Sequence, residues 1–262
     1  MNPNQEQAMS PEQQVAALTR PRWEAINFLD ECILLEYEPK CILCRYSAKR
    51  ATFKIIEAQC VFGGGRLERY ECPSCGCIFG PRKTVELHPI LLSQDYKDLY
   101  SVYSEGDSSE HEIRAFRMLS PKKNGIYLNY GSGAWSKSAS VLQSEGYKVF
   151  TFDSFCEGDH PNMLTLNEVK SRKFDGIYSN NVIEHFQDPV ADFQFLRSLL
   201  KRGAAMSHST ACYEYFYEYT RFHTVFFTGN SVKYLGSKAR LSLGKKTRDG
   251  EFICQVFRRP WW

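Results

Sequence analysis

Four of the ten cysteines fall into two Cys-x-x-Cys pairs, a spacing typical of metal-binding knuckles. Cys41 and Cys44 form one pair, and Cys72 and Cys75 form the other. Two strand-like runs joined by three glycines lie between them, which is the layout of a zinc ribbon. Four thiolates can close a tetrahedral zinc site, and so small a unit lacks the core to fold without one. We therefore predict zinc at these four cysteines. Cys77 is an alternative to Cys75, although Cys-Pro-x-Cys-Gly favours Cys75.

A second group of chemically capable side chains lies in residues 174–189, FDGIYSNNVIEHFQDP. An apolar, strand-like run ends there in Asn180 and Asn181, and Glu184 and His185 follow at once. A buried strand usually stops in a plain turn, whereas these side chains can hydrogen-bond, ionise or bind metal. The pattern predicts a ligand site where this strand ends.

A glycine turn and a carboxylate indicate that the ligand is a nucleoside. Gly131 and Gly133 follow a predicted strand and open a helix, where free N–H groups can meet a ligand. Asp153 ends the next strand, and its carboxylate suits the two ribose hydroxyls. A dinucleotide site needs a glycine at position 136, which is Ser136, and an S-adenosylmethionine site needs one at position 135, which is Trp135. The glycine turn alone leaves both cofactors open.

Strands alternate with helices from about residue 124 onward, which predicts an α/β fold with a mainly parallel sheet and helices on both faces. Asp188 and Pro189 are predicted to begin the helix after the polar cluster, as cap and first-turn residue. The last two strands, close together in sequence, are expected to form an antiparallel pair at one edge. The predicted strands are residues 124–130, 148–152, 176–180, 204–209, 239–243 and 252–258.

The 262 residues are enough for one medium domain and a small module. We predict an N-terminal tail and helix over residues 1–40, a zinc ribbon over 41–88 and a Rossmann-like domain over 89–262. The net charge is only +3, which does not argue for nucleic acid, and no apolar run is long enough for a membrane span. The polar N-terminus lacks a signal pattern, so we expect a cytoplasmic protein with no membrane partner. The oligomeric state stays open.

Residues 174–203 resemble a motif of class I S-adenosylmethionine-dependent methyltransferases, in which a strand is followed by Glu-His-x-x-Asp-Pro. The Lys-Arg-Gly at 201–203 and the stretch HTVFFTGNSVKYLG at 223–236 also resemble this family. The resemblance covers about residues 110–262. A cysteine-rich ribbon ahead of such a domain is similar to a zinc-binding subgroup that includes sugar C-methyltransferases, which carry a further C-terminal domain not seen here.

The resemblance implies a Rossmann-like methyltransferase sheet and a set of cofactor-binding residues. Asn129 stands where the family usually has Asp, and Trp135 where it has Gly, so cofactor affinity is in question at these two places. Tyr103 belongs to a tyrosine pair that resembles one closing over the cofactor in related enzymes. The cofactor-binding residues it implies are Asn129, Gly131, Gly133, Asp153, Asn180, Asn181 and Tyr103.

Methyl transfer mostly requires alignment of the acceptor atom with the methyl carbon and sulfur, and removal of a proton if the acceptor is a hydroxyl or a carbon acid. His185 is the leading candidate base because histidine titrates near neutrality and Glu184 is adjacent. His208 ends the predicted strand 204–209, which corresponds to the fifth strand of this family, and is a second candidate base. His223 precedes an apolar run and is expected to be structural.

Three functions follow from these features. We expect methylation of a small molecule, and the resemblance suggests a sugar or nucleotide-sugar; the aromatic run at 212–223 lies where such enzymes build the acceptor site. The ribbon segment 45–83 has eight Lys or Arg against three Glu, so an RNA methyltransferase is an alternative, with nucleic acid possible but not favoured. The third is a non-catalytic binding protein with a degenerate methyltransferase fold.

Overall fold

The computed structural model describes residues 9–34, 36–104, 106–134, 136–156 and 161–261. Trp135, where the family pattern has glycine, lies outside the described residues. The described part of the chain contains no helix that is both long and apolar enough to cross a bilayer.

Six strands form the main sheet, in the order β5-β4-β6-β7-β10-β9. The first four are parallel, and β10 runs antiparallel between β7 and β9. This confirms the predicted parallel sheet with an antiparallel pair at one edge. The strands are β4 (Ile126–Tyr130), β5 (Lys148–Phe152), β6 (Phe174–Asn180), β7 (Leu200–Ser209), β9 (Ser242–Asp249) and β10 (Phe252–Arg258).

Helices cover both faces of this sheet. Neighbouring side chains of a strand point to opposite faces, so they pack against different helices. Tyr127 and Tyr178 pack in the same cluster as Phe116, whereas Leu128 and Ile177 pack with Phe193. The helices are α1 (Pro11–Leu34), α2 (Arg82–Val85), α3 (Pro89–Tyr100), α4 (Ser109–Arg117), α5 (Lys137–Ser144), α6 (Leu166–Ser171), α7 (Pro189–Leu199) and α8 (Ser231–Lys238).

The helix after the polar cluster begins as predicted and ends earlier. The Asp188 side chain accepts a hydrogen bond from the N–H of Ala191 at 3.2 Å, and Pro189 is the first helical residue. The sequence of residues 189–203 predicts a helix throughout, but the helix stops at Leu199 and β7 starts at Leu200. Leu200 pairs with Phe174 of β6, so pairing with the neighbouring strand overrides the helical pattern at this end.

A second, smaller sheet joins the cysteine-rich unit to a distant part of the chain. Strands β1 (Lys54–Gln59) and β2 (Arg66–Glu71) form the predicted hairpin. Strand β3 (Ile78–Phe79) pairs with β2 on one side and with β8 (Val225–Phe226) on the other. The domain boundary predicted between residues 88 and 89 stays a prediction. The pairing of β3 with β8 joins the parts of the chain on its two sides by backbone hydrogen bonds.

A buried ion pair holds the N-terminal helix against the same region. The two oxygens of Asp95, on α3, accept from Nε and Nη2 of Arg221 at 2.7 and 3.0 Å. Oδ1 of Asp95 also accepts from the indole N–H of Trp23, on α1, at 2.8 Å. All three side chains are at most 1% exposed. Because loss of one partner would leave an uncompensated buried charge, this contact fixes α1, α3 and residue 221 relative to one another.

His208 is a core residue and not part of a ligand site, contrary to the expectation from its position at the end of β7. Its side chain is 0% exposed, and its Nδ1 lies 2.8 Å from the hydroxyl of Ser179. The rings of Phe193 and Phe257 pack against it, with centroids 5.1 and 6.1 Å away. Burial lowers the pKa of His208 to about 3, so the imidazole is neutral in the folded protein.

The folded state should therefore lose stability in acid through His208. Its folded pKa is below its unfolded value, so the unfolded chain binds more protons between these two values, and stability falls as pH falls through them. We expect His208→Gln to reduce the loss of unfolding free energy between about pH 7 and about pH 5 by about 2 kcal/mol. Urea unfolding at the two pH values measures this difference.

The control is His88→Gln, which alters a histidine at the exposed start of α3. That variant measures how far a histidine-to-glutamine change at an exposed position alters the pH slope. If the unfolding free energy of His208→Gln changes with pH as that of the wild type does, His208 has the same pKa in the folded and unfolded chains and the prediction is wrong.

Candidate functional site

The four predicted cysteine ligands lie together. Sγ of Cys41 is 3.7 Å from Sγ of Cys75, Sγ of Cys44 is 3.5 Å from that of Cys72, and all four atoms lie within 4.8 Å of one another. A tetrahedral zinc ion with Zn–S bonds of about 2.3 Å requires sulfur atoms about 3.8 Å apart. Hydrogen bonds from the thiols of Cys41 and Cys77 lower the pKa of Cys75 to about 5, which favours a thiolate there. The residues therefore fit zinc.

The backbone of both cysteine turns supports the same geometry. Each turn closes with an N–H returning to the carbonyl of its first cysteine, from Arg45 at 3.0 Å and from Gly76 at 2.8 Å. Both donors have positive φ, 66° and 74°. Cys77 is fully buried with its thiol 3.6 Å from the carbonyl of Ile78, and it is outside the group of four.

The glycine turn links the ends of β4 and β5. Gly131 has φ +75° and donates to the carbonyl of Phe152 at 2.8 Å. A Cβ at this position would lie 2.4 Å from Cγ2 of Val182, so glycine is required there. Gly133 has φ +66° and donates to Oδ2 of Asp153 at 2.9 Å. Apart from the neighbours of Gly133 in the chain, no atom of the described residues lies within 4 Å of a Cβ built on this glycine.

Asp153 holds its own turn and also faces the site. Its Oδ1 accepts from the N–H groups of Phe155 and Cys156 at 2.8 and 3.0 Å. With the bond from Gly133, three of the roughly four acceptor positions of a carboxylate are used. The remaining position is compatible with the predicted bond to a ribose hydroxyl.

Asn129 does not reach the site itself. It is 1% exposed, and its amide donates to Oε2 of Glu112 at 2.8 Å and to the hydroxyl of Ser136 at 3.1 Å. Glu112, on α4, lines the cavity that Asn129 was expected to line. The sequence carried no signal for Glu112, because it precedes the first strand and the fold alone brings it beside the glycine turn.

Three adjoining cavities open along the carboxyl edge of β4, β5 and β6. The glycine-turn cavity, about 570 Å³, is lined by Gly131, Gly133, Glu112 and Asn180, among others. The Asp153 cavity, about 370 Å³, is lined by Asp153, Phe155 and Asp192, among others. The aromatic cavity, about 400 Å³, is lined by seven aromatic side chains: Phe62, Tyr96, Tyr100, Tyr103, Tyr217, Tyr219 and Phe222.

The predicted Asn-Asn pair stands where these cavities meet. Asn181 lines all three, and its positive φ of 52° turns the chain out of β6. Oδ1 of Asn180 accepts from the hydroxyl of Ser209 at 2.6 Å, which ties the ends of β6 and β7. Tyr103 lines the glycine-turn and aromatic cavities. The structure thus brings together all the predicted cofactor residues except Asn129.

Glu184 and His185 lie at the aromatic cavity, together with His223, which had been expected to be structural. Burial lowers the pKa of His185 to about 4, against the opposing effect of the carbonyls of Phe222 and Asn181. Burial, with the nearby His185 and Arg69, holds the pKa of His223 well below its usual value. Both imidazoles are therefore neutral near pH 7.

Asp192 is a further residue that the sequence did not single out. It lies on α7 and lines the Asp153 cavity with Asp188. Burial, and then the charge of Asp188, raise the pKa of Asp192 to about 7. One turn of helix separates the two residues, so a signal was present in the sequence, but only the fold turns it toward the site.

The residues after β7, here called the 210–227 segment, form one wall of the aromatic cavity and are held by the ribbon. The guanidinium of Arg69 donates to the carbonyls of Glu218, Thr220 and His223 at 2.6, 2.7 and 3.2 Å. The N–H of Val61 donates to the carbonyl of Tyr219 at 3.0 Å. The ribbon thus positions the side chains of this segment.

Comparisons with known proteins agree with this geometry. A family model described as a methyltransferase domain matches residues 109–240, just over half of the chain. This range includes the glycine turn, Asp153 and the Glu184–His185 turn. No match was found among curated proteins.

Several solved methyltransferases have a distantly similar fold. CalO1, a methyltransferase in calicheamicin biosynthesis, is 12% identical over 66% of this chain and 58% of its own, with a TM-score of 0.46. The CcbJ methyltransferase from Streptomyces caelestis is 11% identical over 60% of this chain and 99% of its own, with a TM-score of 0.46. The mitomycin 7-O-methyltransferase MmcR is 13% identical over 67% and 59%, with a TM-score of 0.45.

The chain spans less than two-thirds of the length of CalO1 and MmcR. At such identities and TM-scores, these likenesses say nothing about substrate. The match over residues 109–240 is sufficient by itself: the chain belongs to the methyltransferase-domain family.

Proposed function

We propose that the protein transfers the methyl group of S-adenosylmethionine to a small ring-containing acceptor bound in the aromatic cavity. One observation carries this proposal: the three cavities adjoin at Asn181, on the carboxyl edge of the parallel sheet. Ligands of open α/β sheets bind at this edge. A cofactor in the first two cavities would present its methyl group toward the third.

The walls of the first two cavities support this orientation of the cofactor. Asp153 lines both and would accept from the ribose hydroxyls, with the adenine lying beyond it beside Phe155 and Asp192. The methionine end would then follow the glycine turn, where the carboxylate of Glu112 can meet its ammonium group. Glu112 would supply the negative charge that Asn129 lacks.

The lining of the aromatic cavity supports an acceptor without a phosphate. Among the described residues that line it there is no lysine or arginine, whereas seven are aromatic. Aromatic rings stack on sugars and on planar rings, but they do not neutralise a phosphate dianion. An uncharged sugar or aromatic ring fits this lining better than a nucleotide-sugar does.

The same charges count against RNA as the acceptor. Arg69 is 0% exposed and is committed to backbone carbonyls, so it cannot contact a phosphate. Arg66 contacts the carboxylates of Glu57 and Glu68, and Arg50 that of Glu68. Much of the basic character of the ribbon is thus neutralised within the ribbon.

We also propose that zinc at the four cysteines is structural. The four sulfur atoms leave no open coordination position, and the ribbon they hold carries Phe62 and Arg69 toward the acceptor cavity. The metal would act on the acceptor only through the position of these residues.

Cofactor binding tests the proposed role of Asp153. We expect Asp153→Asn to weaken binding of S-adenosylhomocysteine about ten- to hundred-fold, since a hydrogen bond to a charged group is worth about 1.5–3 kcal/mol. Isothermal titration calorimetry measures the affinity, and the thermal midpoint reports whether the turn still folds.

Asp249→Asn is the matched control, because Asp249 is an exposed carboxylate on β9 paired with Arg114. It should bind the cofactor product as the wild type does. Equal affinities for wild type and Asp153→Asn would remove Asp153 from the site, and absence of binding by the wild type would overturn the proposed function.

Metal content tests the ribbon. We expect about one equivalent of ribbon zinc in the wild type and in Cys77→Ser, but less than about half an equivalent in Cys44→Ser, because three thiolates hold zinc less well than four. Cys44→Ser should also unfold at a lower temperature. Loss of this zinc from Cys77→Ser alone would mean that Cys77 replaces Cys75 as a ligand.

Methyl transfer from labelled cofactor tests the acceptor class. Uncharged sugars and phenols should accept the label in preference to nucleotide-sugars, and transfer should change little with ionic strength. Labelling of RNA that falls steeply with added salt would instead identify a nucleic-acid methyltransferase.

A further inference from the structure

A second group of metal-ligating side chains lies at the aromatic cavity, apart from the cysteines. Glu184 and His185 come from the turn after β6, and His223 comes from the 210–227 segment. One ligand atom from each lies within 4.8 Å of the others. All three side chains line the cavity. We propose that they bind a divalent transition-metal ion such as Zn²⁺, which holds an oxygen atom of the acceptor.

The two imidazoles are prepared as ligands by their hydrogen bonds. Nδ1 of His185 lies 3.0 Å from the carbonyl of Phe222, and Nδ1 of His223 lies 3.1 Å from that of Tyr217. A carbonyl only accepts, so a proton on Nδ1 of each ring would satisfy these two carbonyls and leave the lone pair of Nε2 for an ion. Metal-binding histidines usually have this arrangement, in which a carbonyl fixes the tautomer and the ring orientation.

Glu184 completes the set as a buried, oriented carboxylate. It is 1% exposed, and its Oε1 accepts from the hydroxyl of Thr210 at 2.6 Å. Its backbone is fixed as well, because its carbonyl accepts from the N–H of Thr224 at 2.8 Å. The bond to Thr224 also ties the turn after β6 to the strand that follows His223, which keeps the ligands from the two segments together.

The surroundings select the kind of ion. The guanidinium of Arg69 donates to the carbonyl of His223, so a positive charge lies close to the proposed site. That charge opposes every divalent ion alike, so the ligands decide: Mg²⁺ prefers oxygen ligands, whereas two imidazole nitrogens suit zinc and its neighbours. Two His and one Glu leave a coordination position open, as in catalytic zinc sites.

This inference rests on the proposed function and narrows the acceptor to a ring that bears a hydroxyl or another oxygen ligand. The open position would face the aromatic cavity, so the ion would orient the acceptor oxygen near the adjoining cofactor cavities. In this arrangement His185 is a ligand of the ion, which replaces its predicted role as the general base.

Zinc titration of the purified protein tests the proposal. After dialysis against metal-free buffer without a chelator, the ribbon should retain its zinc. Calorimetric titration with Zn²⁺ should then show one further equivalent for the wild type. We expect His223→Gln and His185→Gln to lose this second equivalent, with affinity at least about ten-fold weaker, since each removes one of three ligands. His88→Gln, which changes an exposed histidine, should keep it.

Cobalt substitution separates the two metals. Thiolate-to-cobalt charge-transfer absorption reports the ribbon, and it should be the same in wild type and His223→Gln, which also shows that the variant is folded. Binding of S-adenosylhomocysteine should be unchanged in His223→Gln, so failure of the cofactor site is recognised separately. The proposal is overturned if the wild type takes up no zinc beyond the ribbon equivalent, or if His223→Gln and His185→Gln still take up the second.

Discussion

The guanidinium of Arg69 is the contact on which the acceptor side of the molecule depends. It is 0% exposed and donates to three carbonyls of the 210–227 segment, whose side chains line the aromatic cavity. That segment is mostly irregular, with one short 3-10 helix (Ala211–Tyr213) and the two-residue strand β8, and such backbone is stable in the interior only if its polar groups are paired. Arg69 and strand β3 provide this pairing from the ribbon. The ribbon is therefore part of the unit that forms the aromatic cavity.

The same logic applies to the second buried arginine. Arg221 is 0% exposed and makes a two-pronged ion pair with Asp95 of α3, which also accepts from Trp23 of α1. Arg22 also pairs with Asp95 at 2.8 Å, so removal of Asp95 is the change that leaves the buried Arg221 without compensation, at a cost of about 3–5 kcal/mol. Such a contact adds little net stability compared with apolar packing, but it allows one arrangement of the helices and the segment. A cavity whose walls come from four parts of the chain needs that specificity.

The division of labour between the two sheets follows from their connections. The parallel sheet brings Gly131, Asp153 and Asn181 to one edge by its topology, and this edge is the proposed cofactor site. The small sheet and its partner segment bring Phe62, Phe222 and His223 to the adjoining cavity. The proposed cofactor site is thus formed by the parallel sheet, and the proposed acceptor site by the small sheet and its partner segment. The two sites meet at Asn181 and His185.

The sequence alone was enough for features that arise from local pattern. The cysteine pairs, the β1–β2 hairpin, the parallel sheet and the Asp188 cap all depend on residues close together in the chain, so spacing and periodicity predict them. The orientation of His208 could not be predicted from local pattern. Both faces of the sheet are covered by helices, so the second half of β7 is buried on both sides and lacks the alternation that would indicate which way His208 points.

The presence of Glu112 and His223 at the site depends on tertiary structure for a different reason. Each is held by a partner far away in sequence, Asn129 for Glu112 and Arg69 for the backbone of His223. The energy of such contacts comes from burial and hydrogen bonding between distant segments, which no local pattern records. The sequence by itself determined the edge at which the cofactor binds; only the tertiary structure determined the side chains that face the acceptor.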